Sequence, residues 1–261
     1  MGIKFNLMPD LKDDYMKKRV KFLNTYVDAL TMRETLEYIE KAIINKWCIQ
    51  HVVINAGKIN LMQKDEKLTE IVNNCPIINA DGQSIVWGSR ILGNNIPERV
   101  AGIDIFTELI KLCAEKGYKP YFFGAKQEVV EKVVKEFKFR YPNLSVAGYR
   151  NGYFSSDEGK KIAIDINNSH ADILFVAFSS PMKEYWISEN MDIMKVPVAM
   201  GVGGSFDVIA GKTKRAPKWM QRGGLEWFYR FIQEPRRMYK RYIGGNIKFC
   251  KLILKSKYKG V

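Results

Sequence analysis

Histidine and paired cysteine are what this 261-residue sequence has least of: two histidines, His51 and His170, and four scattered cysteines, Cys48, Cys75, Cys113 and Cys250, with no C-x-x-C among them. That scarcity argues against a zinc site and a disulfide framework, and it fits a reducing, cytoplasmic compartment. No apolar run approaches the length that crosses a bilayer. The opening MGIKFNLMPDLKDDYMKK has no apolar centre for a signal peptide, and Asn6 stands where a myristoylation signal wants Ser or Thr. Low-complexity segments are missing too. What remains is 46% hydrophobic and long enough for one large α/β domain or two small ones.

Acidic residues are scarce in one region only. Residues 212–261 carry 15 Lys or Arg against Glu226 and Glu234, whereas 27 basic and 26 acidic residues precede them. The net charge of +14 therefore belongs almost entirely to the tail. A basic tail suits nucleic acid, an acidic membrane surface or a phosphorylated substrate. The absence of an RNP-type motif or a DNA-binding helix pattern argues against nucleic acid.

From about residue 31 the patterns of helix and strand alternate. Thr31 and Glu34 form a capping-box pattern that opens a helix through Lys46. Strands are expected at WCIQHVVI, PIINA, PYFFG, LSVAGY, DILFVAF and VPVAM, with helices near 58–74, 103–117, 126–140, 156–168 and from Pro181. This rhythm predicts an α/β fold with a mainly parallel, Rossmann-like sheet, flanking helices and a basic helical C-terminal appendage. The division expected is residues 1–211 for the sheet domain and 212–261 for the appendage. Ligands in such sheets gather at the carboxyl ends of the strands. Those ends place Asn55, Asp81, Gly124, the stretch 149–154 with Tyr153, the stretch 179–183, and Gly201 to Asp207 on one polar edge.

The turn MGVGGSFDVIAGKTKRAP carries pieces of two phosphate-binding signatures. Phe206 stands where both the dinucleotide fingerprint and the P-loop require glycine, so neither is present. A helix beginning near Ser205 would still offer outward backbone N–H groups to an anion, and a tight turn needing positive φ explains the glycines equally well. Asp81 at a strand tip suits a general base or the cap of the next helix. Asn55 suits a sugar hydroxyl or a turn. Glu98 and Arg99 suit an exposed ion pair, or Arg99 a phosphate clamp. Arg230, Arg237 and Arg241 recur near one helical face, which suits either solvent or an anion. Lys248, Lys251, Lys255 and Lys259 form a stripe opposite Ile247, Phe249, Ile253 and Leu254, the pattern of an interfacial helix or of one docked on its own domain.

INADGQSIVWGSR, IPERVAGIDIF, YRNGYF, MGVGGSFDVIAGKTKRAP and GLEWFYRFIQEPRRMYKRY, in that order over roughly residues 25–245, closely resemble the WecG/TagA/CpsF family, glycosyltransferase family 26, whose members are typically N-acetylmannosaminyltransferases. The resemblance implies inverting transfer of a sugar, N-acetylmannosamine or its uronic acid, from UDP to a polyprenyl-diphosphate-linked sugar at the inner leaflet, feeding teichoic acid, common antigen or capsule. It implies Asp81 as catalytic base, with Asn55 and Arg99 lining the sugar and acceptor pocket. Gly124, Tyr153, Gly201, Gly203, Gly204, Ser205 and Asp207 would surround the nucleotide. Arg230, Arg237 and Lys240 or Arg241 would fold over the diphosphate. No cofactor and no metal are expected, because no D-x-D motif is convincing; arginines and backbone amides are the natural substitutes. The tail is expected to meet an anionic membrane surface.

Two positions depart from the family pattern. In SSPMKEYW, Lys183 replaces a donor-contacting glutamine, and Val53 stands where the teichoic acid branch carries a threonine. Lys183 suits the carboxylate of a uronic acid donor, or a phosphate. Two rivals remain: a nucleotide-dependent dehydrogenase, which would need further strands after Gly204, and a non-catalytic nucleotide-sugar-binding member of the same family.

Overall fold

A computed structural model describes residues 18–155, 157–239 and 244–259, apart from the side chains of residues 237, 238 and 259. Its centre is a six-stranded, wholly parallel sheet in the order β4-β3-β8-β7-β5-β6, built from β3 (Ile49–Ile54), β4 (Ile77–Ala80), β5 (Pro120–Gly124), β6 (Gly148–Arg150), β7 (Ile173–Ala177) and β8 (Val198–Gly201). Every residue of β3, β4 and β5 is buried, as expected of strands covered on both faces. An antiparallel hairpin of β1 (Arg19–Phe22) and β2 (Thr25–Asp28) precedes the sheet. It is tied to β4 by Asp28, whose carboxylate accepts from Ile78 N at 2.6 Å.

Helices α1 (Met32–Ile44), α2 (Ala56–Met62), α3 (Glu66–Asn73), α4 (Gln83–Ile91), α5 (Gly102–Lys116), α6 (Gln127–Arg140), α7 (Gly159–Asn168) and α8 (Met182–Met194) clothe the sheet. The capping box of Thr31 and Glu34 is formed. The single helix expected over 58–74 is two, because the Asp65 side chain accepts from Leu68 N and starts α3. Alternation along the strands sorts the core: Ile173 and Phe175 of β7 face one cluster, Leu174 and Val176 the opposite one. The first cluster explains Phe206. It is fully buried against Phe106 and Phe122, so a core contact occupies the position where both phosphate signatures want glycine.

After β8 come α9 (Ser205–Ile209), α10 (Lys218–Arg222), α11 (Glu226–Gln233), α12 (Pro235–Tyr239) and α13 (Gly245–Lys259), with no further strand among the described residues, which removes the dehydrogenase reading. The apolar arc expected along α13 divides in two. Phe249 and Ile253, each 3% exposed, pack inward, Phe249 stacking on Phe22. A Cβ at Gly88 would lie 3.0 Å from the Ile253 side chain, so this glycine inside α4 lets α13 approach. Ile247 and Leu254 are half exposed on the outer side, beside exposed Lys248, Lys251 and Lys255. No described helix is long and apolar enough to cross a membrane.

Candidate active site

The carboxyl ends of β4, β3 and β8 lie side by side and bring Asp81, Asn55 and the glycine turn to one edge. Asp81 extends β4 by donating its N–H to Ile54 O at 2.9 Å. Its carboxylate does not cap α4, whose N-cap Gly82 has no side-chain bond; Oδ1 instead accepts from Gly102 N, at the start of α5, at 2.9 Å. Oδ2 accepts from Asn55 Nδ2 at 3.4 Å. Asn55 is fixed in turn as the N-cap of α2, its Oδ1 accepting from Lys58 N at 3.1 Å. The result is a half-buried carboxylate held by a helix N-terminus and an amide, with its remaining lone pairs free to take a proton. His51 is no competitor for that role. It lies inside β3, bonded to Asn79 at 2.8 Å, and burial pushes its ring down to about 4.

The glycine turn is shaped partly by its own hydrogen bonds. Gly203 has φ +53° and shapes the bend, but Val202 N and Gly203 N both donate to Val176 O, and Ser205 N and Oγ both donate to Val202 O. The amides of Val202, Gly203 and Ser205 are thus used within the turn that leads into α9. Two cations also stand there. A Cβ at Gly201 would lie 2.7 Å from Lys183 Cδ, and one at Gly204 would lie 2.7 Å from Arg230 Nη2. The glycines therefore admit long basic side chains, and the Arg230 Nε is buried without a hydrogen-bond partner. Asp207 faces Lys212 at 3.8 Å. Gly124 has a separate cause: at φ +128° a Cβ would come within 2.9 Å of the Ala177 backbone, so close β5–β7 contact requires it. Tyr153 is largely exposed, beyond an Asn151 turn. Lys240 and Arg241 lie outside the described residues, as does the side chain of Arg237.

Glu98 and Arg99 diverge. Glu98 accepts from Met32 N at 2.6 Å, whereas Arg99 Nη1 donates to Glu226 of α11 at 2.8 Å. Nor did the sequence reading single out the buried pair of Lys58 and Glu184, 2.7 Å apart beneath Lys183. Burial pushes the Glu184 carboxyl up, but Lys58, Lys183 and the Ser180 hydroxyl outweigh it and hold the group below the usual glutamate range. The only hint was a charged residue at the foot of each helix, which looks the same as a solvated one. Among the described residues no three His, Cys, Asp or Glu side chains converge in a way that would hold a metal.

A fixed carboxylate beside cations at the carboxyl edge of a parallel sheet fits a glycosyltransferase. The profile of the Glycosyl transferase WecG/TagA/CpsF family matches residues 20–260, and the chain belongs to that family. It is 37% identical over 214 residues to the N-acetylglucosaminyldiphosphoundecaprenol N-acetyl-beta-D-mannosaminyltransferase of Bacillus subtilis (strain 168), covering 81% of this chain and 82% of that protein. An enzyme of the same name from Staphylococcus aureus (strain MW2) is 30% identical, covering 84% and 87%.

Proposed function

We propose that this chain transfers an N-acetylmannosamine-type sugar from UDP, with inversion, to a hydroxyl of a polyprenyl-diphosphate-linked sugar used in surface-polymer assembly. The observation that carries the reading is the Asp81 carboxylate, held by Gly102 and Asn55 at the edge where Lys183 and Arg230 converge. Asp81 takes the proton of the acceptor hydroxyl as its oxygen attacks the anomeric carbon. The bond from that carbon to the UDP oxygen breaks, and the electron pair leaves with UDP. Lys183 and Arg230 meet the charge developing on the diphosphate, and Arg99 serves the acceptor. No metal takes part in this reading, since side-chain cations supply the positive charge; EDTA should leave the rate unchanged, and restoration of a lost rate by Mg²⁺ would overturn it.

The deciding experiment offers a panel of UDP-sugars with a short, soluble polyprenyl-diphosphate-N-acetylglucosamine and reads UDP release and product mass. An N-acetylmannosaminyl product is expected. UDP binding without any product would favour the non-catalytic reading. A uronic acid donor has one observation in its favour, the nearly buried ammonium of Lys183 beside Gly201 and Gly203. Under that reading Lys183→Gln shifts donor preference toward the neutral sugar by about tenfold, while an equal loss for all donors assigns Lys183 to phosphate.

The outer face of α13 supports peripheral attachment at the inner leaflet. Ile247, Leu254 and Tyr258 are exposed along one line, flanked by Lys248, Lys251 and Lys255. Each lysine near an anionic surface contributes about 1 kcal/mol. Neutralising all three should sharply reduce co-sedimentation with anionic vesicles yet spare the soluble acceptor. Unchanged co-sedimentation would remove α13 as the anchor.

A further inference from the structure

The ion pairs that hold the tail over the site converge on one carboxylate. Glu226 Oε2 accepts from Arg99 Nη1 at 2.8 Å, and its Oε1 accepts from Arg215 Nε at 3.1 Å. Arg215 also grips Asp104 of α5 through two bonds, at 2.5 and 2.8 Å. Arginine and carboxylate thus alternate along Arg99, Glu226, Arg215 and Asp104, and none of the four side chains is more than 36% exposed. Both ends of this chain of charges lie within residues 99–104. That short segment also contains Gly102, whose N–H holds the Asp81 carboxylate.

The other consequence runs along α11. Arg230 follows Glu226 by four residues, so both side chains leave the same face of the helix. When Glu226 is seated between Arg99 and Arg215, that face is turned toward the sheet edge, and Arg230 lies against Gly204. Removing the Glu226 charge would leave Arg99 and Arg215 without the carboxylate they share, and Arg215 with Asp104 as its partner. Repulsion would then open the arrangement.

We propose that Glu226 is a positioning residue for sugar transfer: it orients Arg99 toward the acceptor and seats α11 so that Arg230 covers the glycine turn. The inference rests on the proposed roles of Arg99 and Arg230. Glu226 acts through these arginines and touches no reacting atom. It also gives the tail's rare acidic residue a reason, in a segment where a carboxylate is otherwise hard to explain.

Glu226→Gln, Glu226→Asp and Arg215→Met in the full chain test it. The measurements are amide hydrogen exchange across residues 226–233, melting temperature, UDP affinity, and kcat and KM with the soluble polyprenyl-diphosphate acceptor. Glu226→Gln and Arg215→Met should each speed exchange in α11 and raise the acceptor KM by about tenfold, with a smaller fall in kcat. Glu226→Asp should recover part of the loss, and the melting temperature should hold, because no core side chain is touched. Arg215→Met reaches the same arrangement from its other side and guards against a fault peculiar to Glu226→Gln. Unchanged exchange and unchanged kinetics in both would overturn the proposal. So would tighter UDP binding with faster turnover in Glu226→Gln, since the carboxylate would then be a competitor for Arg99 rather than its support. Failure of the transfer reading itself would appear separately, as UDP binding without any product in the unsubstituted chain, and would leave the exchange result standing.

Discussion

Two helices of the same basic tail are attached by opposite means. α13 is fixed by apolar burial: Phe249 and Ile253 enter the cluster formed by β1, α2 and α4, and Asn60 Nδ2 donates to Gly245 O at 2.7 Å. α11 buries no side chain fully and is joined to its surroundings by polar contacts, the Glu226 ion pairs and the Gln233 bonds to the Lys214 backbone. Apolar burial is little weakened by screening salt, whereas ion pairs that solvent reaches are each worth about 0–1 kcal/mol and are screened. The far helix is therefore expected to resist salt, and the helix beside the glycine turn to respond to it.

The largest test separates chemistry from docking. Asp81→Asn keeps the size and the bond to Gly102 but removes basicity, so kcat should fall by roughly two to four orders of magnitude with UDP affinity little changed. Steady-state UDP release measures this, and near-normal turnover would exclude Asp81 as the base. Next in size is Phe249→Ala, which removes the ring stacked on Phe22. It should cost about 3 kcal/mol in urea unfolding and release α13 while leaving the Glu226 ion pairs intact. A loss below about 1 kcal/mol would mean that burial is not what holds α13.

The sheet and its carboxyl edge were legible in the sequence because parallel strands buried on both faces read as short apolar runs, and Asn55 and Asp81 end two of them. α4 was not, since Gly88 lowers its helical signal for the sake of a contact with Ile253, 165 positions away in a segment read as a separate appendage. The glycine turn was legible as a bend at the carboxyl edge, but what fills it was not. Glycine predicts room near the backbone, and only the fold shows that Lys183 and Arg230 use that room. Lys58 with Glu184, and Arg99 with Glu226, were hidden for a common reason. Each pair spans more than a hundred residues, so neither partner carries a local signal that distinguishes it from a solvated charge.

The finest test of the contrast between the two helices is ionic strength. Screening shortens from roughly 13 Å to roughly 4 Å as salt rises from about 0.05 to about 0.5 M, which weakens pairs that solvent can reach and leaves buried apolar contacts unharmed. The Glu226 carboxylate and the Arg215 guanidinium are each about a quarter exposed, so their attraction is open to screening, while Phe249 and Ile253 are almost wholly enclosed. Amide exchange across 226–233 should therefore quicken by a few-fold over that range, a change below about 1 kcal/mol, and exchange across the buried turns of α13 should not move. UDP should reverse part of the gain if Arg230 meets its diphosphate, because a ligand that binds the covered state draws the equilibrium toward it. Equal quickening in both helices would mean that the tail is one electrostatically held unit. No quickening in α11 would mean that its half-exposed aromatic residues, rather than Glu226, keep it in place.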